Sequence, residues 1–68
     1  MLNKNTDYSK DKIIGELMDK HDKKNDTILT TMKGDFYGKV VAVGISKVVV
    51  KQNGVNHEID IDDILDIQ

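Results

Sequence analysis

The chain has 68 residues, with 10 Lys and no Arg against 10 Asp and 2 Glu, a formal charge of -2, 38% apolar residues and no Cys, Pro or Trp. A domain this short buries only roughly 60% of its unfolded surface; without cysteine, and with only His21 and His57 as soft ligands, neither disulfides nor structural zinc can reinforce it, which leaves association with other subunits. The acidic balance and missing guanidinium oppose a general phosphate-binding surface; no apolar run approaches the roughly 18 residues of a membrane span, and residues 1–10 lack a signal-peptide core, so a soluble, cytoplasmic chain without membrane contact is expected.

Residues 1–8 read as a flexible N-terminus and 9–68 as one domain, a helix over 9–22 followed by a barrel over 27–68. Ile13, Ile14, Leu17, Met18 and His21 recur at helical spacing as one apolar stripe. Ser9 suits the N-cap, Asp11 the first turn, and Tyr8 the staple to Ile13. Glu16 and Lys20 are spaced for an i,i+4 pair, while Gly15 weakens the helix by up to about 1 kcal/mol. After Asp26 the period changes to two. Ile28, Thr30 and Met32 alternate with Leu29, Thr31 and Lys33; Phe36, Gly38, Val40 and Ala42 alternate with Tyr37, Lys39, Val41 and Val43. Val48, Val49 and Val50 make a β-branched run, and Ile59 and Ile61 alternate with Glu58, Asp60 and Asp62. Gly34-Asp35, residues 44–47 and Gln52-Asn53-Gly54 supply turns, the last an Asn-Gly hairpin signal. Asp63 can cap a single helical turn formed by Ile64, Leu65 and Ile67. A helix followed by four or five short strands in an antiparallel meander predicts a mainly β fold with one N-terminal helix: a small, strongly bent antiparallel barrel.

The run Gly38-Lys39-Val40-Val41-Ala42-Val43, then Ser46-Lys47-Val48-Val49-Val50, Gly54, Ile59, Ile64 and Ile67, resembles without a gap the second half of an Sm-like domain of the bacterial Hfq type. Residues 28–36 resemble its first strand and the opening of its second, with the glycine at Gly34 one residue out of the usual spacing, and the 9–21 helix takes the place of its N-terminal helix. The resemblance implies a five-stranded barrel that assembles into a hexameric or heptameric ring and binds uridine-rich or adenine-rich RNA on the ring faces. The base-contacting residues of that family do not carry over. Its Asp-Asn pair falls on Gly44 and Ile45, and its Tyr-Lys-His triplet on Asp60, Ile61 and Asp62. Carboxylates repel phosphate and no aromatic remains there to stack a base. An acidic Sm-like protein, Rof, which is similar in layout, acts by binding the transcription terminator Rho.

Glu58, Asp60, Asp62, Asp63 and Asp66 crowd the last eleven residues, with no lysine among them. They suit an edge strand showing charge to water, an acidic docking surface for a basic protein, or, with fewer grounds, a cation site, since the glycine and remaining oxygens of a calcium loop are missing. The basic cluster of Lys20, His21, Lys23 and Lys24 is interleaved with Asp19, Asp22 and Asp26 and reads as a solvated helix end. Phe36 is expected in the core, and Tyr37, pointing the other way, outward or at a subunit contact. Lys39 and Lys47, read as flanking the Gly44 turn, are the best pair for a residual RNA contact. His57 reads as a surface histidine, and no nucleophile or phosphate loop suggests catalysis. The expected function is therefore non-enzymatic, without metal or cofactor. It is an Sm-like regulatory module acting through protein contacts, by homo-oligomerisation or through a basic partner on Glu58, Asp60, Asp62, Asp63, Asp66 and Tyr37. The alternatives are a divergent RNA-binding protein using Lys39 and Lys47, and an accessory protein of a larger complex or mobile element.

Overall fold

The structure, a computed structural model, describes residues 4–68, with side chains from Lys10 onward. In chain order it has a helix α1 (Lys4–Lys23), strands β1 (Asp26–Thr31), β2 (Gly34–Val43), β3 (Lys47–Gln52) and β4 (Val55–Asp60), a 3-10 turn (Ile61–Asp63) and strand β5 (Ile64–Ile67). The strands form one antiparallel sheet in the order β4-β3-β2-β1-β5, which leaves β4 and β5 as its edges.

The sheet curls because β2 serves two neighbours in succession. Its first part pairs with β1, from Thr31↔Gly34 to Asp26↔Lys39, and its second with β3, from Lys39↔Lys51 to Val43↔Val48. The two pairings meet at Gly38 and Lys39. A Cβ on Gly38 would fall inside the Lys51 carbonyl, so only glycine lets the two backbones approach so closely there. The register then slips between Val40 and Ala42. This bulge changes which residues face inward: Val40 is buried and Val43 half-buried, while Val41 and Ala42 are exposed. The strict alternation expected from sequence therefore holds only to Val40.

Leu29, Val40, Val48, Val50, Ile59, Ile61 and Ile64 form the core, which Leu17 of α1 completes at 0% exposure. Burying that leucine contributes roughly 2–3 kcal/mol. Ile13 and Ile14 pack beside it, but Met18 and His21 lie exposed, so the apolar stripe of α1 is narrower than the sequence spacing suggested. The helix rests on β2, the 3-10 turn and β5, and a barrel this small covers only the centre of the stripe.

Local chemistry shifted several boundaries. The helix begins at Lys4 rather than Ser9 and takes in residues expected to be a flexible N-terminus, so Ser9 lies inside it and cannot be its N-cap. The side chains of Tyr8 and Ser9, and residues 1–3 altogether, lie outside the described residues. Asp19 and Lys23 form an i,i+4 ion pair at 3.3 Å, whereas Glu16 and Lys20 do not approach within 4.0 Å. The first hairpin turns at Met32 and Lys33, with Gly34 and Asp35 already in β2. Thr31 explains this, because its Oγ1 accepts from the Lys33 N–H at 3.1 Å and donates to the Gly34 carbonyl at 2.7 Å. Asn53 (φ 53) and Gly54 (φ 80) make the expected two-residue hairpin turn, whose two positive φ angles match the twist of the strands. Asp63 lies inside the 3-10 turn instead of capping it, and Ile64, Leu65 and Ile67 are extended, not helical. Their backbone groups find a better partner in the free edge of β1. Ile28 and Gln68 extend that pairing, exchanging backbone hydrogen bonds of 3.0 and 2.9 Å.

Candidate functional site

Three connections meet at one end of the barrel and are tied together through the backbone. The Ile61 N–H donates to the Ser46 carbonyl at 2.9 Å, the Gly44 N–H to the Lys47 carbonyl at 2.8 Å, and the Met32 N–H to the Asp63 carbonyl at 2.9 Å. The β2–β3 loop therefore lies against the 3-10 turn, and Lys47 stands opposite Asp60 across β3 and β4. This end brings together the two positions that the Sm-like resemblance marks for base contact. Ile45 stands out from the loop at 85% exposure, and Asp60 and Asp62, at the start of the adjoining 3-10 turn and within it, are exposed.

The five carboxylates do not form one patch. Glu58, Asp60 and Asp63 line a single cleft together with Lys33 and Lys47, so its charge is mixed. Glu58 lies 3.5 Å from Lys47, Asp63 3.8 Å from Lys33, and Asp62 3.5 Å from Lys10. Exposed pairs at these distances hold little energy and remain open to competition. Among the described residues, no cation comes within 4.0 Å of Asp60 or Asp66. Asp66 sits on β5, at the opposite sheet edge from Glu58, and accepts from the Gln68 side-chain amide at 3.1 Å. Among the described residues, no three His, Cys, Asp or Glu side chains converge as a metal ion would require.

The lysines are also arranged differently from the expectation. Lys39 and Lys47 do not flank the loop as a pair, because Lys39 lies at the bend of β2 and faces Lys51 on β3. In the sequence Lys51 is one of four scattered lysines, with Lys33, Lys39 and Lys47, and its place opposite Lys39 is what sequence reasoning missed. Counting back from Val43↔Val48 without a bulge puts Lys51 opposite Val40; the extra residue at Val41 moves it opposite Lys39. Tyr37 projects on the same outer face at 56% exposure, and Tyr37, Lys39 and Lys51 line one shallow recess with Asp26. There Lys39 Nζ lies 2.6 Å from Asp26 Oδ1, and the Tyr37 hydroxyl donates a long bond, 3.4 Å, to Oδ2. The hydrogen bond from Lys39, and next its charge, hold the Asp26 carboxyl below its usual 3.8; partial desolvation opposes this and Tyr37 adds a smaller lowering. His57 is half-buried rather than on the surface, its ring centroid 5.3 Å from that of Phe36 at a 50° tilt. Phe36 itself is half-buried against the core.

No protein-family model matches the sequence, and no curated protein matches it. Among solved structures, the crystal structure of the pleiotropic translational regulator Hfq is similar, with a TM-score of 0.73 over 79% of this chain and 92% of that one. The fold is Sm-like. One N-terminal helix followed by five antiparallel strands is shared with Hfq, and at 14% identity the likeness is one of architecture. No described helix of the Sm-like chain is long and apolar enough to cross a membrane.

Proposed function

We propose that this chain is a non-enzymatic Sm-like module that works through protein contacts, with the loop end as its docking face and the two sheet edges as its means of self-assembly. The observation that carries the reading is the loop end, where the loop bearing the exposed Ile45 is hydrogen-bonded through Ser46 to the 3-10 turn that follows the exposed Asp60 and contains the exposed Asp62. An aliphatic anchor with an acidic rim fits a basic protein that offers an apolar recess. The same rim repels phosphate. Self-assembly is supported by β4 and β5, which have no strand on their outer sides and expose Val55 and Leu65 at 55% and 64%. Pairing the β4 of one copy with the β5 of another would satisfy both rows of backbone groups.

Proteins recovered on the immobilised chain should fall by about tenfold or more on Asp60→Lys plus Asp62→Lys, and in high salt, because the contact is electrostatic and exposed. Equal recovery from the double variant refutes the acidic docking face. One observation favours RNA instead: an exposed aromatic and two lysines share the recess of Tyr37, Lys39 and Lys51. That reading predicts binding of U-rich or A-rich oligonucleotides that weakens steeply with salt. A flat titration at low salt eliminates it.

A further inference from the structure

We propose that Asn53 is a self-modifying site, at which the Gly54 backbone nitrogen displaces the side-chain amide and turns the tip of the β3–β4 hairpin from neutral to anionic. Asparagine is thermolabile because its side-chain carbonyl carbon lies within reach of the next residue's backbone nitrogen. A side chain on that next residue hinders the approach, and glycine has none. Asn53 alone among the asparagines of the chain precedes a glycine. Both residues are exposed, and the space that a Cβ on Gly54 would enter is open. Among the described residues, no hydrogen bond restrains the Asn53 side-chain amide or the Gly54 N–H. Asn56 gives the contrast within the same hairpin. It is exposed too, but it lies in β4 opposite Lys51, with its backbone in the strand ladder, and half-buried His57 follows it.

The step balances with water as its only co-reactant. The Gly54 nitrogen gives up its proton and bonds to Asn53 Cγ, while the Cγ–Nδ2 bond breaks and ammonia leaves with that proton, closing a succinimide ring. Water then opens the ring on either side. Cleavage of the new bond leaves an aspartate in an unaltered backbone; cleavage of the old peptide bond leaves an isoaspartate, with the chain running through the former side chain. Either product brings a carboxylate to the recess that Asn53 and Gly54 line with Lys39 and Lys51. Among the described residues, Lys51 has no carboxylate within 4.0 Å. The aspartate keeps the turn, because Asp-Gly accepts two positive φ angles as Asn-Gly does. The isoaspartate does not. It lengthens by a carbon a two-residue turn on which the register from Gln52↔Val55 onward depends. β4 pairs with β3 alone, so no second strand holds it in place.

The test is to age the purified full chain in warm, mildly alkaline buffer and to follow each asparagine by peptide mass spectrometry, with isoaspartyl methyltransferase labelling to mark isoaspartate. Residue 53 should convert at least roughly tenfold faster than Asn56, whose backbone is held away from attack geometry, and should yield both products. The rate should be the same in Thr27→Val, whose unfolded fraction rises about fivefold, because the turn reacts in the folded chain. The isolated isoaspartate form should unfold at a lower urea concentration than the parent. Asn53→Asp, which carries the same charge without the added carbon, should leave that midpoint little changed. Conversion at Asn53 no faster than at Asn56 overturns the proposal, as does aspartate as the sole product, which would mean direct hydrolysis without a ring. A rate that rises about fivefold in Thr27→Val also overturns it, by assigning the reaction to unfolded molecules. An equal loss of midpoint in the isoaspartate form and in Asn53→Asp overturns the loss of register, since charge alone would then account for it.

Discussion

The loop end and the Tyr37–Lys39 side of this barrel are built from different materials. At the loop end the architecture is carried by backbone hydrogen bonds, from Ile61 to Ser46 and from Met32 to Asp63, while Ile45, Asp60 and Asp62 stand outside it. On the Tyr37–Lys39 side the architecture depends on particular residues. Gly38 lets β3 pass, Thr27 Oγ1 donates to the Gln68 carbonyl at 2.7 Å, and the Tyr37 N–H donates to Gln52 Oε1 at 3.0 Å. The difference separates what can be altered for binding from what must be kept for folding. Charges at the loop end can be reversed at little structural cost, whereas changes near the β2 bend disturb the curl that brings the loops together.

The strongest challenge to this contrast is Gly38→Ala, which sets a methyl group against the Lys51 carbonyl. It should cost roughly 3 kcal/mol or more, read as a lower urea midpoint or outright failure to fold, against about 0.5 kcal/mol or less for Asp62→Asn at the loop end. A small effect at Gly38 would mean that the β2 bend yields more readily than its packing implies. Thr27→Val is the intermediate case. It keeps the shape of a residue that is 1% exposed but removes the hydroxyl that fastens Gln68 to β1, and should cost about 1 kcal/mol in the same measurement. The smallest effect is expected of Asp26. Its folded pKa lies below the unfolded value near 3.8, so the stabilisation is complete above that value and is lost as pH falls through the lower folded one. An NMR titration of the Asp26 carboxyl should therefore give a midpoint under 3.8, and Lys39→Met should return it to the ordinary range. A midpoint unmoved by that substitution would detach Lys39 from the site.

Strand content and the Asn53-Gly54 turn were legible in the sequence because period-two patterning and positive-φ residues act over a few neighbours. The Sm-like layout was legible for the same reason, since it is written in the spacing of glycines and aliphatics from Gly38 to Ile67. What escaped was set by contacts distant in sequence. Ile64, Leu65 and Ile67 looked like a closing helical turn until the free edge of β1 drew them into a strand, and Thr31, not Gly34, chose where the first hairpin turns. The pairing of Lys51 with Lys39 escaped because a single bulge residue at Val41 decides which side chain stands opposite Lys39.

The sequence by itself determined the chemistry available: an arginine-free chain with its acidic excess after His57, and with Gly44, Ile45, Asp60, Ile61 and Asp62 at the positions that the resemblance marks for base contact. Identity and spacing are enough for that, because charge and side-chain type do not depend on the fold. The tertiary structure decided which of these groups meet. It set the loop that carries Ile45 against the turn that carries Asp62, divided Asp66 from Glu58, and faced Lys39 with Lys51, since pairing across a curled sheet depends on register and bend, and a one-residue slip changes every partner beyond it.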